Sequence, residues 1–220
     1  MKDFLLRHLP REKAEILLDY ELRSKYILHL SLTLNLLYAL LKLGTGIYYH
    51  SFWMGALGIY YAVLSGLRFF LLRAMPLSES QRGTVIYHRT AWMLNLLTLT
   101  MTGIFVQMVR ENRAYEYPGV VIFTMALWAF AKIISAVFNL IKRQREENKV
   151  LAAARCLSFA GALMSILALQ TALLARFGEG DIAFAQTMNA LSGAGVTALM
   201  VTLSALMIAR SRTWMRKEEH

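Results

Sequence analysis

The chain has 220 residues, of which 57% are hydrophobic and only 17% charged, and its mean hydropathy is +0.44. That apolar content exceeds what a water-soluble domain of this size carries, so the composition reads as a membrane protein. The formal net charge of +10 suits attraction to anionic lipid headgroups and calls for no nucleic-acid partner.

The start, MKDFLLRHLPREKAEILLDYELRSK, places charges every few residues. It lacks the uninterrupted apolar core and small-residue cleavage site of a signal peptide, so the first hydrophobic span is expected to stay as a membrane helix. Within 11–27, Ala14, Leu17, Leu18, Leu22 and Tyr26 fall on one helical face with charged residues elsewhere. Residues 1–27 therefore read as a cytoplasmic amphipathic segment lying along the inner leaflet.

About 20 apolar residues are needed to cross a hydrocarbon core about 30 Å thick. Six such spans follow, at roughly 28–49, 52–75, 89–109, 118–141, 151–175 and 183–209. The breaks carry turn chemistry or charge: His50-Ser51, Pro76 to His88, Arg110 to Pro118, Lys142 to Lys149, and Arg176 to Asp181. Two of these are tight, so spans one and two, and spans five and six, are expected to form antiparallel hairpins. The fold class is thus all-α and integral to the membrane. Residues 28–209 form a six-helix domain and 210–220 a basic cytoplasmic tail.

Orientation follows from Lys and Arg. With the N-terminus cytoplasmic, that side holds 17 basic residues and the opposite side only Arg110, Arg113 and Arg176. Both termini are therefore expected in the cytoplasm, of a plasma membrane or a bacterial inner membrane. The bilayer, with its anionic headgroups on the cytoplasmic side, is the partner the charge distribution implies. A homodimer or a second membrane protein is left open.

All 14 Asp and Glu fall outside the spans. Cation sites and proton relays at membrane depth are commonly built from carboxylates, so carboxylate-coupled cation transport has no machinery in this sequence. The charges inside the spans are all basic: Lys42, Arg68, Lys132 and, near an end, Arg155. At 1.5 Å per residue, Lys42 lies about 21 Å into span one and Lys132 about 20 Å into span four. Arg68 and Arg155 are close enough to the cytoplasmic face to be expected to snorkel into the headgroups. Lys42 either snorkels outward or stays inside, because Ser31, Asn35, Tyr38, Lys42, Thr45 and Tyr49 recur at steps of three and four. Such a stripe should face protein or a hydrated cavity, since lipid would leave its donors unpaired.

Span three offers His88, Trp92, Asn95, Thr98 and Thr102, and span six Gln186, Asn189, Gly193, Thr197 and Ser204. Interhelical hydrogen bonding and close packing are the expected roles of these residues, with pore lining the alternative. In span five, Ser158, Gly161, Ser165, Ala168 and Ala172 form a seam of small residues suited to close helix approach. The candidate intramembrane polar site is Asn35, Tyr38, Lys42, Lys132 and Asn189.

Catalytic and metal-binding signatures are lacking. Gly178-Glu179-Gly180-Asp181 matches a short intramembrane-protease pattern, but no second aspartate lies in a span to complete a dyad. There is no His-Glu-x-x-His, glycine-flanked nucleophilic serine or phosphate loop. His8, His29, His50, His88 and His220 have no partner spaced to complete a metal pair. The single cysteine, Cys156, reads as a small core residue. No enzyme activity, cofactor or bound metal is expected.

The run Asn35, Lys42, Gly46, Ser51 in LNLLYALLKLGTGIYYHSFWMGAL resembles the first span and following turn of the cation diffusion facilitator family. FNLIKRQREENKVLAAARCLSFAGALMS, residues 138–165, is similar to that family's passage from span four into span five. The resemblance implies six helices, both ends inside, and a transporter. It also implies two ligands, Asp or His, four residues apart in spans two and five. Here LGIYYAVLSG (57–66) has neither residue type, and 151–175 has neither. The family's cytoplasmic metal-sensing domain has no counterpart in the few residues after span six. The expectation is a transporter-like membrane protein of unknown cargo, a facilitator-like scaffold without the divalent-metal ligands. A non-transporting scaffold or regulatory subunit, acting through helix–helix assembly, is the alternative.

Overall fold

A computed structural model describes residues 20–75, 81–110, 118–141, 149–177 and 181–218. Most of the expected amphipathic segment, before Tyr20, lies outside the described residues. Six α-helices follow in order: α1 (Tyr20–Tyr48), α2 (Phe52–Ala74), α3 (Gln81–Arg110), α4 (Gly119–Ile141), α5 (Lys149–Phe177) and α6 (Ile182–Glu218). Among the described residues there is no strand. Five of the helices are long and apolar enough to cross a membrane, and α4 carries a shorter apolar stretch, Gly119–Ser135. Helices α3 and α6 outrun their expected spans, and Arg210 to Glu218 continue α6.

The outer surface explains why lipid is the proper solvent. Leu36, Leu37, Leu40, Phe69, Phe70, Leu96, Leu99, Phe123, Phe130, Leu191 and Leu206 are all exposed. In water, patches of this kind drive association, whereas hydrocarbon covers them without penalty. The chain is a multi-pass membrane protein.

Helices α2 and α5 are central: 56% and 61% of their apolar stretches are buried, against 22% to 28% for α1, α3 and α6. Two antiparallel pairs, α1–α2 and α4–α5, join through α2 and α5, and the α3–α6 pair packs against these two central helices. Helix α6 also meets α5, as expected of a tight connection, but its principal partner is α3. Trp53 of α2 ties the halves together against Phe105 of α3, with ring centroids 5.4 Å apart.

The α1–α2 turn shows how local chemistry fixes the pairing. His50 is left-handed (φ 49°). Its N–H donates to the Ile47 carbonyl at 3.2 Å, and the Ser51 N–H donates to Gly46 at 2.9 Å. This double bond pattern closes α1 as a Schellman motif, with histidine where glycine is usual. Ser51 is at once the N-cap of α2, its hydroxyl accepting from Met54 N–H. Gly46 lets the two backbones touch: a Cβ there would stand 2.6 Å from the Gly55 nitrogen.

Candidate functional site

The polar stripe of α1 faces protein. Asn35 and Lys42 are fully buried, Tyr38 is nearly so, and Ser31, Thr45 and Tyr49 at the flanks are half-buried. Because α2 and α4 both run antiparallel to α1, their side chains meet this stripe level by level.

At the first level the Arg68 guanidinium donates to the hydroxyls of Ser31 on α1 and, at 3.1 Å, Ser158 on α5. One turn further along α1, the Lys132 ammonium of α4 donates to Asn35 Oδ1. Next comes an aromatic layer. Tyr38 stacks on Trp128 (centroids 4.3 Å, planes 14° apart) and meets Tyr61 edge-on at 4.9 Å. Tyr61 is anchored on α5, its hydroxyl donating to the Gly161 carbonyl at 3.1 Å and lying 2.6 Å from Ser165 Oγ. Beyond this layer the Lys42 ammonium donates to the Met54 thioether at 3.3 Å and sits 5.2 Å from the Tyr38 ring centre.

Lys132 sits 4.8 Å from the Trp128 ring centre. The stacked pair of rings is therefore bracketed by two ammonium groups, each favourably placed against the negative face of an aromatic ring. The Tyr61 anchor also gives the α5 seam its use: Gly161, Ser165, Ala168 and Ala172 are buried within the chain.

Four of the five expected site residues, Asn35, Tyr38, Lys42 and Lys132, thus lie in one column. Asn189 does not join them. It is buried on α6, whose main partners are α3 and α5, and its Oδ1 has no hydrogen-bond partner. Periodicity within a span gives a face but not which neighbour that face meets.

Arg68 overturns the expectation that it snorkels. It is 1% exposed and turned into the bundle. The α1–α2 register places Ser31 opposite it, and Ser158 completes a neutral polar pocket at its own depth, so the side chain need not reach for headgroups. Arg155 is half-buried. Trp128, Tyr60 and Tyr61 also belong to the column and were not among the expected residues. A signal existed in α2, where Tyr61, Ser65 and Arg68 share one face at steps of four and three.

Three cations in the membrane stretches thus meet only neutral partners: hydroxyls, an amide oxygen, a thioether and ring faces. The sequence places no Asp or Glu within those stretches. Four buried groups in the column also lack any hydrogen-bond partner: Asn35 Nδ2, Tyr60 OH, Trp128 Nε1 and Arg68 Nε. All four can donate. Burying unpaired charge and unpaired donors is costly, and intramembrane cations are as a rule functional. Among the described residues, no three His, Cys, Asp or Glu side chains converge on one point.

Asn35, Lys42, Gly46 and Ser51 each have a place in this region. Asn35 receives Lys132, Lys42 reaches Met54, Gly46 admits α2, and Ser51 caps it. No family profile matches the chain, and neither a curated protein nor a solved structure does.

Proposed function

We propose that the protein is a transporter-like membrane protein that handles a small anionic solute through the column between α1, α2, α4 and α5. The observation that carries this reading is the convergence of Lys42, Arg68 and Lys132 inside the bundle with neutral partners only. A stable membrane protein gains nothing from three such charges, since apolar side chains of the same volume would pack at lower cost. An anion in transit supplies the missing counter-charge. The aromatic layer between the ammonium groups then stands as the barrier that the solute must displace.

In this reading α4 is a sixth span, both termini face the cytoplasm of a plasma or bacterial inner membrane, and the scaffold is facilitator-like without divalent-metal ligands. The excess of Lys and Arg at one end supports that orientation. The scaffold alternative loses one of its motivations, because the α5 seam packs within the chain instead of forming an outer face.

Flux of labelled sulfate and of chloride into proteoliposomes tests the proposal. Uptake above that of protein-free vesicles is expected for the wild type, falling at least tenfold in Lys42→Met. Uptake equal to that of empty vesicles for both anions, or unchanged in Lys42→Met, would count decisively against it.

A further inference from the structure

We propose that Arg68 and Lys132, with Asn35, form a binding station for a small oxyanion that is distinct from Lys42. The inference rests on the anion-handling reading and adds to it a place and a chemical class. Ser31 and Asn35, which receive the two cations, are one helical turn apart on α1, about 6 Å along its axis. Two cations held about one turn apart can both direct charge-assisted hydrogen bonds to one small anion.

The donor balance points to oxygen acceptors. A guanidinium has five N–H groups and an ammonium three. At this level the acceptors within reach are the Ser31 and Ser158 hydroxyls and Asn35 Oδ1. Arg68 Nε and Asn35 Nδ2 are left without partners though both side chains are fully enclosed. Tyr60, whose hydroxyl is also unpartnered, lies within electrostatic range of Arg68, as does Lys132. Donors converging from α1, α2 and α4 suit a ligand with several acceptor atoms, such as a sulfate- or phosphate-like group or a carboxylate, better than a single-point halide.

The stacked Tyr38–Trp128 pair separates this station from Lys42. At Lys42 the nearest partner is a thioether.

Sulfate titration of the purified full chain, by calorimetry and by tryptophan emission, reads the station directly, because Trp128 lies against Lys132. Saturable binding is expected for the wild type, with an emission change that disappears in Trp128→Phe. Arg68→Gln and Lys132→Met should each weaken binding at least tenfold, and Lys132→Arg should retain it. Asn35→Asp guards against a variant that merely fails to fold: it gives Lys132 an internal counter-anion, so the protein should melt no lower while sulfate binding is lost.

Absence of saturable binding in the wild type overturns the station, as does equal displacement by chloride. If sulfate is transported but its binding follows Lys42, the station falls and the anion-handling reading stands. If binding follows Arg68 and Lys132 while no anion crosses the vesicle membrane, the station stands and transport falls.

Discussion

The two sides of the bundle pair their polar groups in opposite ways. Between α3 and α6 the contacts recur every seven residues on both helices: His88 with Ser211 (2.7 Å), Asn95 with Ser204 (2.9 Å) and Thr102 with Thr197 (3.1 Å). Gln186 then donates to the Val109 carbonyl at 3.2 Å. Trp92 donates to His88 Nε2 at 3.1 Å, which assigns the ring proton to Nδ1, facing Ser211. Every rung is neutral and pairs a donor with an acceptor. Between α1, α2 and α4 the rungs are cationic and donors outnumber acceptors. A balanced ladder is what helix association in lipid requires. A ladder in surplus of one sign is what a ligand completes, and that contrast is why the functional reading sits on α1, α2 and α4.

The largest expected effect tests how tightly each side is closed. Gly46→Ala drives a Cβ against backbone, the Gly55 nitrogen at 2.6 Å and its Cα at 2.9 Å. Neither can move without parting α1 from α2, so a loss of about 3 kcal/mol is expected in reversible unfolding from mixed micelles. Gly193→Ala is the control on the other side. Its Cβ would collide with the Phe105 ring, but that ring borders an open groove of about 790 Å³ between α3 and α6 and can swing into it. The cost there should be less than half as large. Equal losses would mean that the hairpin is no more tightly closed than the α3–α6 pair.

Lys132→Met sharpens the contrast by its sign. Removing a buried cation that has only neutral partners should raise stability by about 2 kcal/mol, partly offset by the acceptor left on Asn35. Asn95→Leu, on the balanced side, should lower stability. A destabilised Lys132→Met would show that the ammonium is structural, and would remove the reason for assigning the column a ligand.

The sequence made the helices legible because a run of about 20 apolar residues has few other uses. The inward stripe of α1 was equally legible, since all its polar groups share one face. The polar residues of spans three and six read correctly as interhelical bonds, although their pairing at steps of seven did not emerge until the helices were laid together. Arg68 was misread for a definable reason. Its distance from the helix end suggested reach to the headgroups, while the hydroxyls that hold it inward come from Ser31 and Ser158, 37 and 90 residues away. Asn189 belongs to the polar series of span six, and such a series carries no information about which helices pack together.

The smallest effect is expected at a single rung of the balanced ladder. Asn95 donates to the Ser204 hydroxyl at 2.9 Å, and that hydroxyl also donates to the Val201 carbonyl of its own helix at 2.9 Å. Truncating Asn95 therefore leaves Ser204 with a partner for its proton, so neither single change should strand it. A double-mutant cycle of Asn95→Ala and Ser204→Ala should give a coupling of about 0.6 kcal/mol, the usual worth of such a bond in a membrane bundle. A coupling above about 2 kcal/mol would mean that this one rung, more than the repeated contact along both helices, holds α3 to α6. A small value agrees with a pairing spread over four weak rungs, each of which joins a donor to an acceptor.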